Sequence, residues 1–250
     1  MRNAAKWKPS KFVYRKGKLI ASRDTSEVQI SSRLMADLVA RNYDKYLKEH
    51  AAGRLLDLGC GQVPLYEAYK RYVSESTCVD WANSLHDNQY LDKECDLTKE
   101  LPFSDGEFDT IILSDVLEHI PNPEDLWRDM SRILAPEGKL ILNVPFFYWL
   151  HEQPHDFYRY TEFALKRFAQ ISELNLVLVE PIGGPLEVLA DLSAKQAKYI
   201  PLVGGIAGSL AQATAIMLSN TFFGRKIFEK IGRKFPFGYF LVAEKPSQDS

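Results

Sequence analysis

A run of strand-forming residues, Leu55-Leu56-Asp57-Leu58, leads into Gly59-Cys60-Gly61. Glycines let a backbone approach a ligand closely, and a helix that starts just beyond them presents free N–H groups. Pro64 is expected to open that helix, because proline suits an early helical position. A strand followed by Gly-x-Gly is a weak signal alone. A dinucleotide-binding turn wants a third small residue for helix–strand packing, where this chain has Pro64. Asp80 closes the next apolar run, 19 residues after Gly61. A carboxylate there can accept both hydroxyls of a ribose.

A second polar cluster runs from Glu152 to Thr161 (EQPHDFYRYT), after the aromatic run Phe146-Phe147-Tyr148-Trp149. His155 and Asp156 are the candidates for acting on a second reactant. Glu152, Tyr158, Arg159 and Tyr160 are candidates for binding it, with a loop clamp as the structural alternative for Arg159 and Tyr160. Thr161 is a helix N-cap candidate without a capping box, since Ala164 stands three residues on. His151-Glu152-Gln153-Pro154-His155 satisfies the zinc-protease pattern H-E-x-x-H, but that pattern works only on a helix. Pro154 would break one there, so no metal is expected. His119, in SDVLEHIPNP, is a candidate general base or a loop-ordering residue. His50 and His86 belong to no constellation.

The elements that must hold these residues alternate. Short apolar runs at 54–59, 77–80, 108–114, 139–145, 176–180 and 239–245 read as buried strands. Helical patterns at 64–72, 123–134 and 161–170 separate most of them, and residues 31–49 form a helix after a serine cap. This predicts an α/β fold with a mostly parallel sheet covered on both faces.

Five motifs in this order resemble the class I S-adenosylmethionine-dependent methyltransferases, of the methyltransferase type 11 kind, over roughly residues 53–180 and the strand at 239–245. The resemblance implies a Rossmann-like, doubly wound, seven-stranded sheet with its last strand antiparallel. It implies S-adenosylmethionine as cofactor. Gly59 and Gly61 match the loop under the methionine part, and Asp57 matches the acid that orders that loop. Asp80 matches the ribose acid, and Trp81 stands where a side chain packs on adenine. Asp96 and Leu97 match the positions that flank the adenine edge, and Ser114 matches the strand end where backbone meets the methionine. The Glu152–Thr161 loop looks like one shared by a subset of these enzymes. It implies an acceptor site at the carboxyl ends of the strands, with His155, Asp156 and His119 in catalytic positions. Arg159 and the basic N-terminus suggest an acidic group on a small-molecule, glycan or lipid-linked acceptor, methylated at O, N or C. Pro64 counts against a nicotinamide oxidoreductase. The polar His155-Asp156 loop counts against a non-catalytic cofactor-binding protein.

Residues 1–18 carry seven basic side chains and no acid, interleaved with Trp7, Phe12 and Tyr14. With the helix up to residue 50 they are expected to form a leader over the cofactor site, and 51–250 the methyltransferase domain. That domain carries a helical insertion at about 182–236. Within it, Tyr199–Gly224 is 26 residues without a charge. A membrane span fits its length, but the strand at 239–245 must return to the same sheet. The stretch is therefore expected to pack as helix and expose Leu202, Ile206, Leu210, Ala213 and Met217. The cover would be a lipid surface, a lipid-like acceptor or a second subunit. The basic frame around it favours peripheral contact with anionic lipid.

The 250 residues are 46% hydrophobic and 26% charged, with a net charge of −2, which rules out wholesale disorder and gives no reason to expect nucleic acid. Cys60, Cys78 and Cys95 match no metal or disulfide pattern, and the first residues hold no secretory apolar run. A reducing, cytoplasmic setting is the expectation.

Overall fold

The computed structural model describes residues 1–82 and 89–247, so His86 lies outside the described residues. A hairpin, β1 (Phe12–Arg15) and β2 (Lys18–Ala21), precedes helix α1 (Arg33–His50). Strands β3 (Arg54–Leu58), β4 (Glu75–Asp80), β5 (Lys93–Glu94), β6 (Phe108–Ser114), β7 (Leu134–Pro145), β8 (Asn175–Ile182) and β9 (Gly238–Glu244) form one sheet in the order β5-β4-β3-β6-β7-β9-β8. β9 is antiparallel to both neighbours, and the other pairs are parallel. Helices α2 (Tyr66–Tyr69), α3 (Pro123–Ile133) and α4 (Glu162–Ile171) join the strands. Helices α5 (Pro185–Ala197), α6 (Gly204–Ser219) and α7 (Phe222–Ile231) fill the insertion between β8 and β9. The predicted seven-stranded, doubly wound sheet with an antiparallel last strand is the one observed.

Burial explains the runs. Leu55, Leu56, Leu58, Ile111, Ile112, Leu113 and Leu140–Leu142 are almost fully buried, because helices cover both faces. One core layer packs α1 against β3, β6 and β9. The other packs Trp127 and Met130 of α3 with Leu165 and Phe168 of α4.

Three local expectations change. The basic leader is no loose coil: Lys16 (φ 51°) and Gly17 (φ 74°) turn it into a hairpin whose strands twist correctly for such a turn. The helix expected from Pro64 shrinks to Tyr66–Tyr69, because Val63 is left-handed (φ 51°) and its N–H closes a turn on Cys60 O at 2.7 Å. The uncharged stretch is two helices. Thr221 caps α7, its Oγ1 accepting from Gly224 N at 3.0 Å.

At the carboxyl end of the sheet lies a buried polar knot. Asn143 Oδ1 accepts from Tyr43 Oη (2.7 Å) and Ser114 Oγ (2.9 Å), and its Nδ2 donates to Asp115 Oδ1. α1, β6 and β7 are thus tied at one fully buried amide. Asn143→Ala should leave these partners without their bonds and cost about 3 kcal/mol of unfolding free energy, to be read in a urea titration.

Candidate active site

β3 delivers the glycine turn. Gly59 has φ 66°, and a Cβ there would stand 2.6 Å from Val116 Cγ2. Only glycine fits both demands. Gly59 N and Cys60 N donate to Val79 O at 2.8 and 3.1 Å, and Gly61 N donates to Asp80 Oδ2 at 3.0 Å. Trp81 N donates to Asp80 Oδ1 at 2.8 Å. The ribose candidate is therefore fixed beside the turn by its own end of β4.

Asp57 is buried, and its Oδ2 has no hydrogen-bond partner. Burial, with a contribution from Asp80, pushes its pKa up to about 7. An orphan carboxylate oxygen beside a glycine turn fits a cationic ligand group such as an amino-acid ammonium. The turn itself is ordered by Val79 and Asp80 rather than by Asp57. Asp96 Oδ1 accepts from Thr98 N and Oγ1 (3.0 and 2.7 Å), and Lys99 pairs with Oδ2 (3.2 Å). Leu97 is buried in the core, which leaves only its backbone for an adenine edge. Ser114 reaches Asn143 with its hydroxyl, so its expected part falls to its backbone too.

The leader lies across this edge. Trp7 Nε1 donates to Val63 O (3.1 Å), Asn3 Nδ2 donates to Gln89 O (2.7 Å), and Lys11 pairs with Asp115 at 2.9 Å. Asp115 itself is left-handed (φ 53°), a strained position at the end of β6.

The loop after β7 differs from the sequence expectation in its roles. Asp156, expected to be catalytic, has a buried side chain; Arg159 Nη1 donates to its Oδ1 and Nη2 to its Oδ2 (2.5 and 2.8 Å). His151 N also donates to Oδ2 (2.9 Å). Arg159 further donates to the carbonyls of Tyr148, Trp149 and Tyr158 (3.3, 2.9 and 2.7 Å). Both form a clamp that shapes the loop, the structural alternative for Arg159. Tyr158 Oη donates to Pro121 O and the buried Tyr160 Oη to Leu117 O, each at 2.9 Å. These phenols lock the two loops together. His155 stands with its ring against Trp81, 5.4 Å between centroids, on the expected adenine side. Its carbonyl meets His119 Nδ1 at 2.8 Å.

A cavity of about 350 Å³ lies beyond the clamp. Val28, Met35, Val39, Tyr148 and Trp149 give it apolar walls, and Glu27, Asp115, Glu118, Glu152, His151 and Lys11 give it polar ones. Of the expected acceptor residues in the polar loop only Glu152 lines it. His151 and Glu118 are not among the expected acceptor residues, whereas Tyr148 and Trp149 belong to the aromatic run before the polar loop and Lys11 to the basic N-terminus, both expected on the acceptor side. His151 was visible in the sequence only as half of a rejected zinc pattern. The partner of its histidine ring is His119, at 4.7 Å between centroids, and not His155.

Glu118 is fully buried with neither oxygen hydrogen-bonded. Its Oε1 lies 3.7 Å from His151 Nε2 and 3.8 Å from His119 Nε2. Burial and Asp115 push its pKa well up. Burial, then His119, hold the His151 pKa below the ordinary imidazole range. His151 is thus neutral at pH 7 and able to take a proton. Glu118, His119 and His151 each offer one ligand atom within 4.8 Å of the others, a donor set that a divalent cation would accept.

Residues 27–177 match the methyltransferase domain family, and the chain belongs to it. The fold is that of its class I S-adenosylmethionine-dependent members, and S-adenosylmethionine is the cofactor. A ubiquinone biosynthesis O-methyltransferase of Xanthomonas euvesicatoria pv. vesicatoria is 34% identical over 109 residues, covering 38% of this chain and 44% of that protein. The chain thus matches under half the length of this relative. Geranyl diphosphate methyltransferase in complex with S-adenosylmethionine superposes with a TM-score of 0.54 at 13% identity, covering 89% of this chain and 93% of that one. The [4+2]-cyclase SpnF superposes with a TM-score of 0.53 at 18% identity, covering 84% and 82%. These two likenesses concern the fold alone.

The Asp57 carboxyl gives a signed expectation. Its folded pKa lies above 3.8, so its burial favours the fold below about pH 4 and loses that contribution as pH rises through about 7. The rise from 3.8 to about 7 corresponds to up to about 4 kcal/mol. Asp57→Asn should raise the melting temperature of the cofactor-free protein at pH 8 and leave it nearly unchanged at pH 4. In the native chain, cofactor affinity measured by calorimetry should rise across the same window.

Proposed function

We propose that the chain transfers a methyl group from S-adenosylmethionine to an oxygen of a neutral, largely apolar acceptor in the 350 Å³ cavity. The observation that carries this is the neutral His151 at the cavity wall, beside the buried Glu118. The O-methyltransferase relative supports oxygen as the acceptor atom. A neutral acceptor is favoured over the expected acidic one because Arg159 is engaged by Asp156 and Lys11, the one lysine lining the cavity, by Asp115. With Asp115 paired to Lys11 and Glu118 held towards its neutral form, Glu27 and Glu152 remain as the charged groups facing the cavity, a field that disfavours an anion.

Asp80 would hold the ribose, the Gly59–Gly61 backbone the methionine part, and Asp57 the ammonium. Bound S-adenosylmethionine supplies a sulfonium methyl whose carbon receives the acceptor oxygen's electron pair as the C–S bond breaks. A ring nitrogen of His151 takes the hydroxyl proton. The buried Glu118, 3.7 Å from that ring and held towards its neutral form, adds no resting charge beside it. Tyr148, Trp149 and Met35 hold the acceptor and exclude water.

A second reading rests on Glu118, His119 and His151 as a divalent-cation seat that polarises the acceptor hydroxyl. Chelation separates the two, because a general base is indifferent to it.

Two variants test the main assignment with a phenolic acceptor panel. Asp80→Ala should weaken cofactor binding tenfold or more. His151→Ala should lower turnover by a factor of about 10²–10⁴ with cofactor affinity unchanged. Turnover should rise with pH below neutrality and level off by pH 7, following the lowered His151 pKa. Unimpaired turnover in His151→Ala would refute its role.

A further inference from the structure

The insertion leaves the sheet at the active-site edge. Ile182, the last residue of β8, pairs with Gly238, and Gly238 pairs with Pro145, which lines the acceptor cavity. α6 turns Gly204, Gly208, Gln212 and Ala215 inward. These small positions let it close on α5, where a Cβ on Gly208 would stand 3.3 Å from Ala194 Cβ. Gln212 Nε2 donates to Ile30 O at 2.9 Å, which pins α6 beside the Gln29–Ser32 wall of the cavity.

The other side of α6 is uncovered. Ile206, Leu210 and Met217 are 66%, 62% and 63% exposed, and Leu202, just before the helix, is 100% exposed. α7 buries only Gly224 and exposes Phe222 and Phe223. Of the 23 large apolar side chains exposed among the described residues, 14 fall within 199–235, so the apolar surface is concentrated in one place. Lys198, Arg225, Lys226, Lys230, Arg233 and Lys234 frame it, and Glu229 is the one acid between 198 and 234. That is a local charge of +5 in a chain of net −2.

We propose that the α6–α7 face seats on an anionic lipid surface and presents the acceptor cavity to that surface. The charge decides the occupant. A second copy docked by the same face would bring six cations against six, whereas anionic headgroups neutralise them. The contact is peripheral. Among the described residues no helix is long and apolar enough to cross a membrane, and the 16 residues of α6 reach about 24 Å against a hydrocarbon core of about 30 Å.

The face also communicates with the cavity. Lys198 Nζ lies 4.2 Å from the Trp149 ring centroid and Lys195 Nζ 4.2 Å from that of Tyr148, and both rings line the cavity. An acceptor with an apolar tail would therefore keep the tail in lipid while its headgroup enters between Trp149 and Met35. This last step rests on the cavity being the acceptor site; the lipid contact does not.

Co-sedimentation tests the contact without any methyl transfer. The full chain should pellet with phosphatidylglycerol/phosphatidylcholine vesicles and remain in the supernatant with phosphatidylcholine alone. Binding should fall about tenfold or more in 0.5 M salt. Ile206→Asp/Leu210→Asp should abolish it, and Lys226→Glu and Lys230→Glu should each weaken it about fivefold or more. Circular dichroism and cofactor calorimetry should stay at the parental values in all variants. Phe222→Ser/Phe223→Ser, on the separate helix α7, provides a second apolar test should the first variant misfold. Failure to bind anionic vesicles, or equal binding by folded variants, overturns the proposal. A lipid-free dimer that Ile206→Asp/Leu210→Asp dissociates overturns it too and assigns the face to a second copy. Vesicle binding with no turnover on phenolic acceptors would leave the lipid contact standing and refute only the acceptor reading.

Discussion

The buried amide of Asn143 constrains everything at the reactive end of the sheet. An amide fully removed from water must find partners for its oxygen and its nitrogen or destabilise the fold. Here the oxygen takes Tyr43 from α1 and Ser114 from β6, and the nitrogen takes Asp115. Asp115 is thereby held in its left-handed conformation and offers its other oxygen to Lys11. One side chain thus sets the register between the helix that roofs the site, the strand that ends in it and the leader that crosses it. Replacing such a knot by apolar groups would be tolerable for packing, but nothing would then specify where the β6 turn ends.

From that turn the constraint passes to the histidines. Leu117–His119 begins two residues after Asp115, and the loop after β7 folds onto it through Tyr160, Tyr158 and the N–H groups of Phe157 and Tyr158, which donate to Glu118 O at 2.9 and 3.3 Å. Arg159 keeps that second loop in shape. Its hydrogen bonds are the chief reason Asp156 has a pKa near 2, with the N–H and charge of His151 adding to them. Asp156 stays ionised at any working pH, so the clamp does not titrate with the site it supports. It contributes stability above about pH 4 that is lost as pH falls towards 2. Glu118 and His151 behave oppositely: with no clamp of their own and little water, each is pushed towards its neutral form. The arrangement separates a permanently charged support from a neutral, proton-ready pair a few ångströms away.

What was legible in the sequence follows from what is local. Strands buried on both faces announce themselves as apolar runs, so the sheet could be read, with its antiparallel last strand coming from the family resemblance. Gly59, Gly61 and Asp80 were legible because a sharp turn next to a strand end leaves few residue choices. The acceptor side was legible only in part, because its groups come from four separated segments: Lys11, Met35, Glu118 and His151. Asp156 and Arg159 looked reactive because polar residues in a strand-end loop usually face a ligand. Whether a carboxylate faces a ligand or a guanidinium depends on a three-residue loop geometry that no spacing rule encodes. His151 was discounted for the right reason, since no helix forms there, yet its partners lay across the fold at Glu118 and His119. The leader hairpin rests on the Lys16-Gly17 turn, and a left-handed lysine is not a residue that turn preferences mark out.

The insertion shows how topology turns an uncharged stretch into an oriented surface. β8 and β9 lie side by side, and the chain leaves and re-enters the sheet at the one row shared by Ile182, Gly238 and Pro145. A hairpin turn would have sufficed to join them. Instead 55 residues intervene between Ile182 and Gly238, and their apolar side chains mostly face outward while glycine and alanine face inward. That is the reverse of a helix recruited to enlarge a core. A segment with this pattern gains little from its own sheet; its close packing on α5, the Gln212 bond and the Glu187–Ser219 hydrogen bond fix its position. Its apolar free energy is therefore available to something outside the chain, and the shared row places that contact beside the cavity wall rather than on the far side of the sheet.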